Sequence, residues 1–264
     1  MFPYAHIGRF VRKKQMNLSN KKILVTGGAS GIGLELTKSL VAQNCKVLIC
    51  GRTKDRLDEV KAQFPSLVET FQCDLAEENQ CQSLVQWICK EHSDLSVLFN
   101  NAAIVHNEAF LDGDKGIEKA RKEMAVNFFA PMYLIKELHP ILSKNESPAI
   151  VNITTGLVYT PRASYSFYNS TKAALHSFTQ VLRMQTASSN LKVIEVMMPV
   201  VNTAWHKGEI PKIAISAKEA AALLFSALAK NKSEIRLGKV KLLYWLSRIA
   251  PAFALRKINS LQTN

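Results

Sequence analysis

The sequence predicts a doubly wound α/β fold, in which helices cover both faces of one parallel β-sheet. Short apolar runs rich in β-branched residues alternate with helix-period segments along the chain, and this alternation is typical of the class. The runs are continuously apolar rather than strictly alternating, as expected of strands that are buried on both faces. No internal repeat, low-complexity tract or linker interrupts the pattern, so we expect one domain over residues 18–264.

The pattern defines seven strands, of which the last is the weakest. In chain order they are KILVT (22–26), KVLIC (46–50), ETFQC (69–73), SVLFN (96–100), AIVNI (149–153), KVIEVM (192–197) and EIRLG (234–238). The helix-period segments between them include GLELTKSLVAQ (33–43), DRLDEVKAQF (55–64), CQSLVQWICKE (81–91) and KAALHSFTQVLRMQTAS (172–188).

The composition is basic and limits the partners that we expect. Thirty-four Lys and Arg against 21 Asp and Glu give a formal charge of +13, which favours phosphorylated cofactors or anionic membrane surfaces. No basic stripe interleaved with aromatic residues appears, so nucleic acid is not an expected partner. The five cysteines and the scattered histidines lack metal-ligand spacing. We expect no metal, and we expect the cysteines to be buried thiols in a reducing compartment.

The N-terminal segment lacks the long apolar core of a secretion signal. Residues 1–17 are therefore predicted to form a flexible extension. No stretch of the chain reaches ~18 uncharged apolar residues, so no membrane-spanning helix is expected. We predict a cytoplasmic location, with a peripheral position on the inner face of the membrane as the alternative.

The stretch TGGASGIG (26–33) joins the first strand to the first helix-period segment. Gly27 permits a tight turn, Gly31 allows the backbone to approach a phosphate, and Gly33 allows the helix to pack closely with its N-terminus facing an anion. The spacing differs from the common G-x-G-x-x-G, and a turn without any ligand is the alternative interpretation.

A second feature lies about 20 residues further on, where the second strand ends in ICGRTKDRL. Sites that prefer NAD usually have an acidic residue here, which binds the ribose 2′-hydroxyl. This chain has Gly51 followed by Arg52, and an arginine suits a 2′-phosphate. The pattern favours NADP(H) over NAD(H), with a solvated basic helix start as the alternative.

Tyr168 and Lys172 are four residues apart at the start of a helix-period segment, and this spacing places both side chains on one helix face. A tyrosine, with an ordinary pKa of about 10, is a poor base at neutral pH. A neighbouring ammonium favours the phenolate and lowers that pKa. Alone, the spacing is common and usually structural.

Taken together, TGGASGIG, the NNAA turn (100–103) and the Tyr168–Lys172 pair resemble the short-chain dehydrogenase/reductase family over about residues 18–240. Through ICGRTKDRL, NITTGL (152–157) and the tail KLLYWLSRIAPAF (241–253), the chain is most similar to bacterial DltE-type oxidoreductases. The resemblance implies a Rossmann-type fold, a small-molecule carbonyl or alcohol substrate, and a homodimer or homotetramer.

The resemblance also implies roles for single residues. Tyr168 would move the proton, Lys172 would bind the nicotinamide ribose, Thr155 would orient the carbonyl, and Asn127 would hold a water that relays protons to the lysine. Asp74 would contact the adenine, and Thr203 the nicotinamide carboxamide. Over the whole dinucleotide, the implied contacts are Gly27, Ser30, Gly31, Ile32, Gly33, Arg52, Asp74, Leu75, Asn101, Ala102, Tyr168, Lys172 and Thr203.

The chain departs from the family pattern at three places. Thr155 stands where the family has serine, which keeps the hydroxyl but adds a methyl group. Ala103 replaces a glycine and would be strained if the position needs a positive φ. Counted back from Thr203, the Pro-Gly of the family falls on Met198-Pro199, which would reshape the nicotinamide pocket.

The implied reaction is hydride transfer between the nicotinamide and a substrate carbinol carbon, with carbonyl reduction by NADPH as the expected direction. The three departures motivate an alternative, a catalytically weak dinucleotide-binding sensor or scaffold. For the pocket, we expect Tyr159, Arg162 and Tyr165 to line it and residues 204–218 to form a covering loop.

The C-terminal tail, residues 239–264, is basic, aromatic and amphipathic. Such a segment could lie on an anionic membrane surface. We favour packing on its own domain or on a partner subunit, because Pro251 interrupts any long helix. Trp87 and Phe128-Phe129 are likewise interpreted as residues of the core or of a subunit contact.

Overall fold

The computed structural model of the protein describes residues 16–111, 114–203, 211 and 213–260. Residues 1–15 of the predicted flexible extension lie outside this part. Met16, at the end of that extension, packs against the same apolar cluster as Leu18.

All seven predicted strands are confirmed, with ends that differ by at most two residues. They are β1 (Lys22–Thr26), β2 (Lys46–Gly51), β3 (Val68–Gln72), β4 (Val97–Asn100), β5 (Ala149–Thr155), β6 (Lys192–Met198) and β9 (Glu234–Arg236). They form one parallel sheet in the order β3-β2-β1-β4-β5-β6-β9. The order reverses between β1 and β4, and ligands of doubly wound sheets bind at the carboxyl side of that position.

The helices alternate with the strands along the chain. They are α1 (Gly31–Val41), α2 (Lys54–Gln63), α3 (Glu78–Glu91), α4 (Gly116–Met124), α5 (Ala130–Leu142), α6 (Tyr168–Gln185), α7 (Ala217–Leu228), α8 (Val240–Ile249) and α9 (Pro251–Ser260). A π-helical turn, Ala125–Phe129, joins α4 to α5, and a 3₁₀ turn, Gly156–Val158, follows β5.

Alternate residues of β1 face two separate apolar clusters, which explains the continuous apolar runs of the sequence. Ile23 and Val25 pack in the cluster that contains buried leucines of α1, α2 and α7. Leu24 packs in the cluster that contains those of α3 and α5. Both faces of the sheet are therefore covered, and the predicted doubly wound, Rossmann-type architecture is confirmed.

A second, two-stranded parallel sheet was not predicted. It pairs β7 (Val201–Asn202) with β8 (Ile215–Ser216). The prediction that residues 204–218 form a covering loop is therefore wrong for residues 215–218. Ile215 and Ser216 form β8, and α7 begins at Ala217, where the Ser216 side chain caps it by accepting a 3.0 Å hydrogen bond from Glu219 N. Residues 204–210 and 212 of that loop lie outside the described residues.

The tail forms two helices that meet at Pro251. Proline is tolerated at the first position of a helix, so the break predicted from Pro251 becomes the start of α9. α8 lies close to the 3₁₀ turn, since a Cβ on Gly156 would be 3.1 Å from Val240. Neither helix is long and apolar enough to cross a bilayer, and the same holds for every other described helix.

The cysteine and aromatic predictions are confirmed only in part. Four of the five cysteines are buried thiols, whereas Cys89 on α3 is exposed because the helix turns that position away from the sheet. Trp87 stacks on Phe71, and Phe128 packs against Phe178. Phe129 is exposed, so its interpretation as a subunit contact stays a prediction.

Candidate active site

A cavity of about 1040 Å³ opens at the carboxyl ends of β1, β4, β5 and β6. It brings together residues from distant parts of the sequence, namely the glycine-rich turn, the residues after β2, β3 and β4, and the first turn of α6. Every residue predicted to take part in catalysis or cofactor binding lines this cavity except Asn127.

The glycine-rich turn needs glycine for two different reasons. Gly31, the first residue of α1, has φ +51°, a conformation that other residues rarely adopt. At Gly33 a Cβ would lie 2.1 Å from the carbonyl oxygen of Gly27, so no side chain fits inside the turn. Ser30 precedes α1 without capping it through its side chain. The start of α1 thus lies at the cavity wall, and the first N–H groups of a helix have no partner within the helix.

Arg52 and Asp74 line the same end of the cavity, after β2 and β3. The loops that carry them are joined, because the Gln72 amide donates a 3.0 Å hydrogen bond to the carbonyl oxygen of Arg52. One carboxylate oxygen of Asp74 accepts from Ala76 N at 3.0 Å. Leu75 also lies in the wall, so these three residues border one region, as the resemblance implies.

The turn after β4 is tied to the end of β1. The Thr26 hydroxyl accepts 3.0 Å hydrogen bonds from Asn101 N and Ala102 N, and the Asn101 amide donates to the carbonyl oxygen of Thr26. Ala103 is not among the described residues with a positive φ. The strain that the missing glycine could have caused is therefore absent.

Tyr168 and Lys172 occupy the first turn of α6, and both are buried. The Lys172 ammonium donates a 2.9 Å hydrogen bond to the carbonyl oxygen of Ile153 on β5, and it lies 5.9 Å from the centre of the Tyr168 ring. The helix and strand thus hold the two groups side by side at the cavity wall.

Burial dominates the electrostatics of this pair. It lowers the pKa of Lys172 to about 8, because the charged ammonium loses its water. It raises the pKa of Tyr168 above the ordinary value, and the nearby Tyr165 and Glu123 raise it further. The net shift of the Tyr168 pKa in the protein without cofactor is therefore upward, and Tyr168 holds its proton at neutral pH. The predicted lowering of this pKa by Lys172 stays a prediction.

Thr155 ends β5 at the cavity wall and keeps a hydroxyl available there. Its Oγ1 accepts a 3.3 Å hydrogen bond from Leu157 N, which caps the 3₁₀ turn. An acceptor role leaves the hydroxyl hydrogen free to point elsewhere. The substitution of serine by threonine thus preserves a donor at this position.

Asn127 lies in the π-helical turn, outside the cavity wall and fully buried. Its Oδ1 accepts from Ile104 N at 2.9 Å, while its Nδ2 donates to Ile104 O and to the Thr171 hydroxyl. These contacts join the turn after β4 to α6. The relay of protons through Asn127 stays a prediction.

One polar pair at the cavity was not predicted. His106 lines the wall, and its Nδ1 lies 2.8 Å from Oε1 of Glu123, which also accepts from the backbone N–H of His106. Glu123 is completely buried, and burial raises its pKa. The two residues are 17 positions apart on a loop and on α4, so no local sequence pattern indicated the pair.

The substrate-pocket predictions hold for two of three residues. Arg162 and Tyr165 line the cavity. Tyr159 does not, because its hydroxyl donates to Glu234 and accepts from Arg236 Nε on β9. The tail supplies wall residues that sequence reasoning missed, although their amphipathic spacing was visible. They are Val240, Leu242, Leu243, Leu246, Ala254, Lys257 and Ile258.

Met198 and Pro199, which replace the Pro-Gly of the family pattern, also line the cavity, together with Thr203. Gly31 lies beside Thr203, since a Cβ on this glycine would be 3.4 Å from the threonine methyl group. The glycine-rich turn and the segment after β6 are therefore next to each other at the cavity wall. A group of three or more His, Cys, Asp or Glu suited to a metal does not occur among the described residues.

A doubly wound sheet with a glycine-rich turn and a tyrosine–lysine pair in one cavity defines an oxidoreductase of Rossmann-type fold. Residues 21–213 match the family described as short chain dehydrogenase. The chain belongs to this family of enzymes.

Individual relatives agree with this assignment. The chain is 38% identical over 231 residues to an uncharacterized oxidoreductase, DltE, of Bacillus subtilis, covering 86% of this chain and 91% of that protein. It is 30% identical over 232 residues to a fatty acyl-CoA reductase of Acinetobacter baylyi, covering 85% and 79%. A Burkholderia cenocepacia short chain dehydrogenase, solved with NADP, has the same fold, with a TM-score of 0.81 and 23% identity over 94% of this chain and all of that one.

Proposed function

We propose that the protein reduces a carbonyl group to an alcohol with NADPH. The observation that carries this proposal is the placement of Tyr168, Lys172 and Thr155 on the wall of the cavity that the glycine-rich turn also borders. The acid Tyr168, the cation Lys172 and the hydroxyl donor Thr155 therefore lie in one site, beside the glycine-rich turn where an anionic cofactor would bind.

The residues present fit a dinucleotide. The positive φ of Gly31 and the space that Gly33 leaves open suit close approach of a pyrophosphate to the start of α1. Asp74 and Leu75 would border the adenine, while Asn101, Ala102, Lys172 and Thr203 would hold the nicotinamide end. When bound, the cofactor supplies the hydride. The solved relative that contains NADP supports this reading.

The preference for NADPH rests on Arg52. Its guanidinium presents a fork of donors that matches a phosphate, and Arg56 lines the cavity nearby. No carboxylate occupies the position directly after β2, where one would bind a ribose 2′-hydroxyl and repel a 2′-phosphate.

The direction of the reaction rests on Tyr168. A phenol whose pKa is raised keeps its proton at neutral pH and is suited to donate it to a carbonyl oxygen. In the reduction, the carbonyl carbon receives the hydride and its oxygen receives the Tyr168 proton. Thr155 would orient that oxygen by a hydrogen bond, and Lys172 would stabilise the phenolate that remains.

We further propose that the carbonyl belongs to an apolar molecule. The substrate end of the cavity is bordered by Leu157, Leu243, Leu246 and Ile258, with His106 and Arg162 as polar groups. Apolar pockets with a few polar groups fix the orientation of a mainly apolar ligand. The relative named as a fatty acyl-CoA reductase supports this class of substrate.

A homodimer or homotetramer remains our proposal for the assembly. Exposed apolar residues on α4, α6 and the π-helical turn are suited to subunit contacts, namely Ile117, Phe129, Val181 and Met184.

Exchange of Arg52 tests the cofactor preference. We expect Arg52→Ala to weaken NADPH binding by roughly 10- to 100-fold, the loss typical of hydrogen bonds to a charged group, and to leave NADH binding nearly unchanged. Fluorescence titration with both cofactors measures this. Lys54→Ala is the matched control, because Lys54 is a nearby exposed cation that pairs with Asp58 instead of lining the cavity. Equal loss for both cofactors would contradict the assignment of Arg52.

A further inference from the structure

The outer side of α8 and α9 exposes large apolar side chains. Leu242, Trp245 and Ile249 of α8 are 67%, 61% and 79% exposed. At 100° per residue they fall within an arc of about 60°, so they form one stripe along the helix. Phe253 and Leu255 of α9 are also exposed, at 51% and 45%, but they are two positions apart and lie on opposite flanks of that helix. We call the three α8 residues Leu242, Trp245 and Ile249 the tail face.

The surroundings of the tail face are strongly cationic. After Glu234 the sequence contains no Asp or Glu. The two tail helices and their start carry five cations, which are Lys239, Lys241, Arg248, Arg256 and Lys257. On the helical wheel of α8, Lys241 and Arg248 lie directly beside the apolar stripe, where long basic side chains can reach past apolar residues to a charged layer.

We propose that the tail face binds the surface of an anionic lipid bilayer, with α8 lying in the plane of the interface. Apolar side chains would enter the boundary between headgroups and acyl chains, and the flanking cations would contact lipid phosphates. Trp245 has the amphipathic ring that favours this depth. The proposal goes beyond carbonyl reduction, and its test with vesicles does not depend on that reaction.

Two other ways of covering the face fit less well. Packing on the same domain uses other positions of the helices, since Val240 and Ala254 are buried and Leu243 and Leu246 line the cavity. A second copy of the chain in a two-fold contact would bring the same five cations toward their own copies, without a carboxylate on either tail. An anionic lipid layer instead neutralises them.

The position of the tail face relative to the cavity supports a lipid partner. Leu242 is both part of the exposed stripe and part of the cavity wall, and Lys239 and Lys257 line the wall as well. Binding through this face would therefore bring the mouth of the cavity to the bilayer. An apolar carbonyl compound dissolved in the membrane would then enter the site without crossing water.

Co-sedimentation of the full chain with vesicles tests the proposal, without cofactor or substrate. We expect the protein to pellet with vesicles of equal parts phosphatidylglycerol and phosphatidylcholine. It should pellet much less with phosphatidylcholine alone, and added salt should release it, because each cation near an anionic surface contributes about 1 kcal/mol.

Two pairs of variants address the apolar and the cationic parts separately. Trp245→Glu with Ile249→Glu, and independently Lys241→Glu with Arg248→Glu, should each reduce the bound fraction by roughly tenfold or more. The second pair changes exposed charges only, so it tests the proposal even if the first pair fails to fold. Leu111→Glu, at an apolar residue that is 90% exposed, and Lys230→Glu with Lys232→Glu are controls that place similar changes elsewhere and should bind as the wild type does.

Three results would overturn the proposal. The first is absence of the wild type from the anionic pellet at low salt, and the second is an equal loss in the tail and control variants. The third is a fall in oligomeric mass, measured by light scattering, for the Trp245/Ile249 pair with vesicle binding unchanged, which would make the tail face a subunit contact. None of them bears on the proposed reduction, which is measured by NADPH consumption in the absence of vesicles.

Discussion

At the cavity wall, the Lys172 ammonium is enclosed by protein and donates one hydrogen bond in the described structure, to the carbonyl oxygen of Ile153. Burial lowers its pKa from 10.5 to about 8, so the folded protein binds this proton less tightly than the unfolded chain does. Between these two pH values the unfolded state carries more of the proton, and stability rises with pH. Below pH 8 the destabilising effect is present in full.

Lys172→Met is therefore expected to stabilise the cofactor-free protein at pH 7. The difference between 10.5 and about 8 corresponds to roughly 3 kcal/mol, an upper limit because the bond to Ile153 is lost as well. The gain should shrink as the pH rises through 8 toward 10.5. Urea unfolding at several pH values measures it.

Lys136→Met on the exposed side of α5 is the control for this exchange and should change stability by less than about 0.5 kcal/mol. A lower stability of Lys172→Met at pH 7, or a gain that does not depend on pH, would show that the lysine is not destabilised by burial.

Local spacing was enough to predict some site residues and not others. Tyr168 and Lys172 share one helical turn, and Arg52 follows a recognisable strand, so the chain itself brings each to the cavity. His106 and Glu123 meet only through the tertiary fold, and no pattern within one element reveals them. The prediction that Tyr159 lines the cavity was wrong, because Glu234 and Arg236 bind its hydroxyl outside the cavity wall. These two residues are 75 and 77 positions further along the chain, so the contact was not visible in the local sequence.

At the level of elements, the turn between β1 and α1 has the geometry that least tolerates a side chain, and this holds above all at position 33. A Cβ at position 33 would collide with the backbone of the turn itself, and the backbone cannot rotate away as a flexible side chain can. The turn would have to open, which would displace the start of α1 from the cavity.

Gly33→Ala is thus expected to lower the free energy of unfolding by about 1–3 kcal/mol, the usual cost of overpacking, and to abolish measurable cofactor binding. Thermal unfolding and titration with NADPH measure the two effects. Gly116→Ala in α4 is the matched control, since its Cβ would meet no atom closer than 3.6 Å, and alanine favours a helix. Normal cofactor affinity of Gly33→Ala would refute the role of the turn.

Long elements were predictable because each repeats its own period over several residues. The seven strands and the helices at the site follow from apolar runs and from 3.6-residue periodicity. The β7–β8 pair has two residues in each strand, too few to show a period. The π-helical turn at Asn127 inserts one residue into an otherwise helical pattern, and sequence periodicity does not resolve this.

At the scale of the whole molecule, the fold explains why the two ends of the cavity differ chemically. The cofactor end is made by the turns after β1, β2, β3 and β4, which a doubly wound sheet always places at one edge. The opposite end is completed by α8 and α9, which come last in the chain and close over the site. The cofactor end could be predicted from the sequence because its motifs are local. The contribution of α8 and α9 to the opposite end could not, because an amphipathic pattern does not show which surface a helix packs against.

The most direct test of the proposed function is a comparison of wild type and Tyr168→Phe in NADPH consumption, with a panel of apolar aldehydes and ketones. We expect wild-type turnover with at least one carbonyl compound. Tyr168→Phe should bind NADPH normally and lose roughly 10²–10⁴ in rate, the contribution typical of a positioned acid. Tyr133→Phe, on α5 and outside the cavity, should keep the wild-type rate. If wild type and Tyr168→Phe both bind NADPH normally and neither consumes it, the proposed reduction is contradicted. The protein would then be interpreted as a dinucleotide-binding sensor or scaffold.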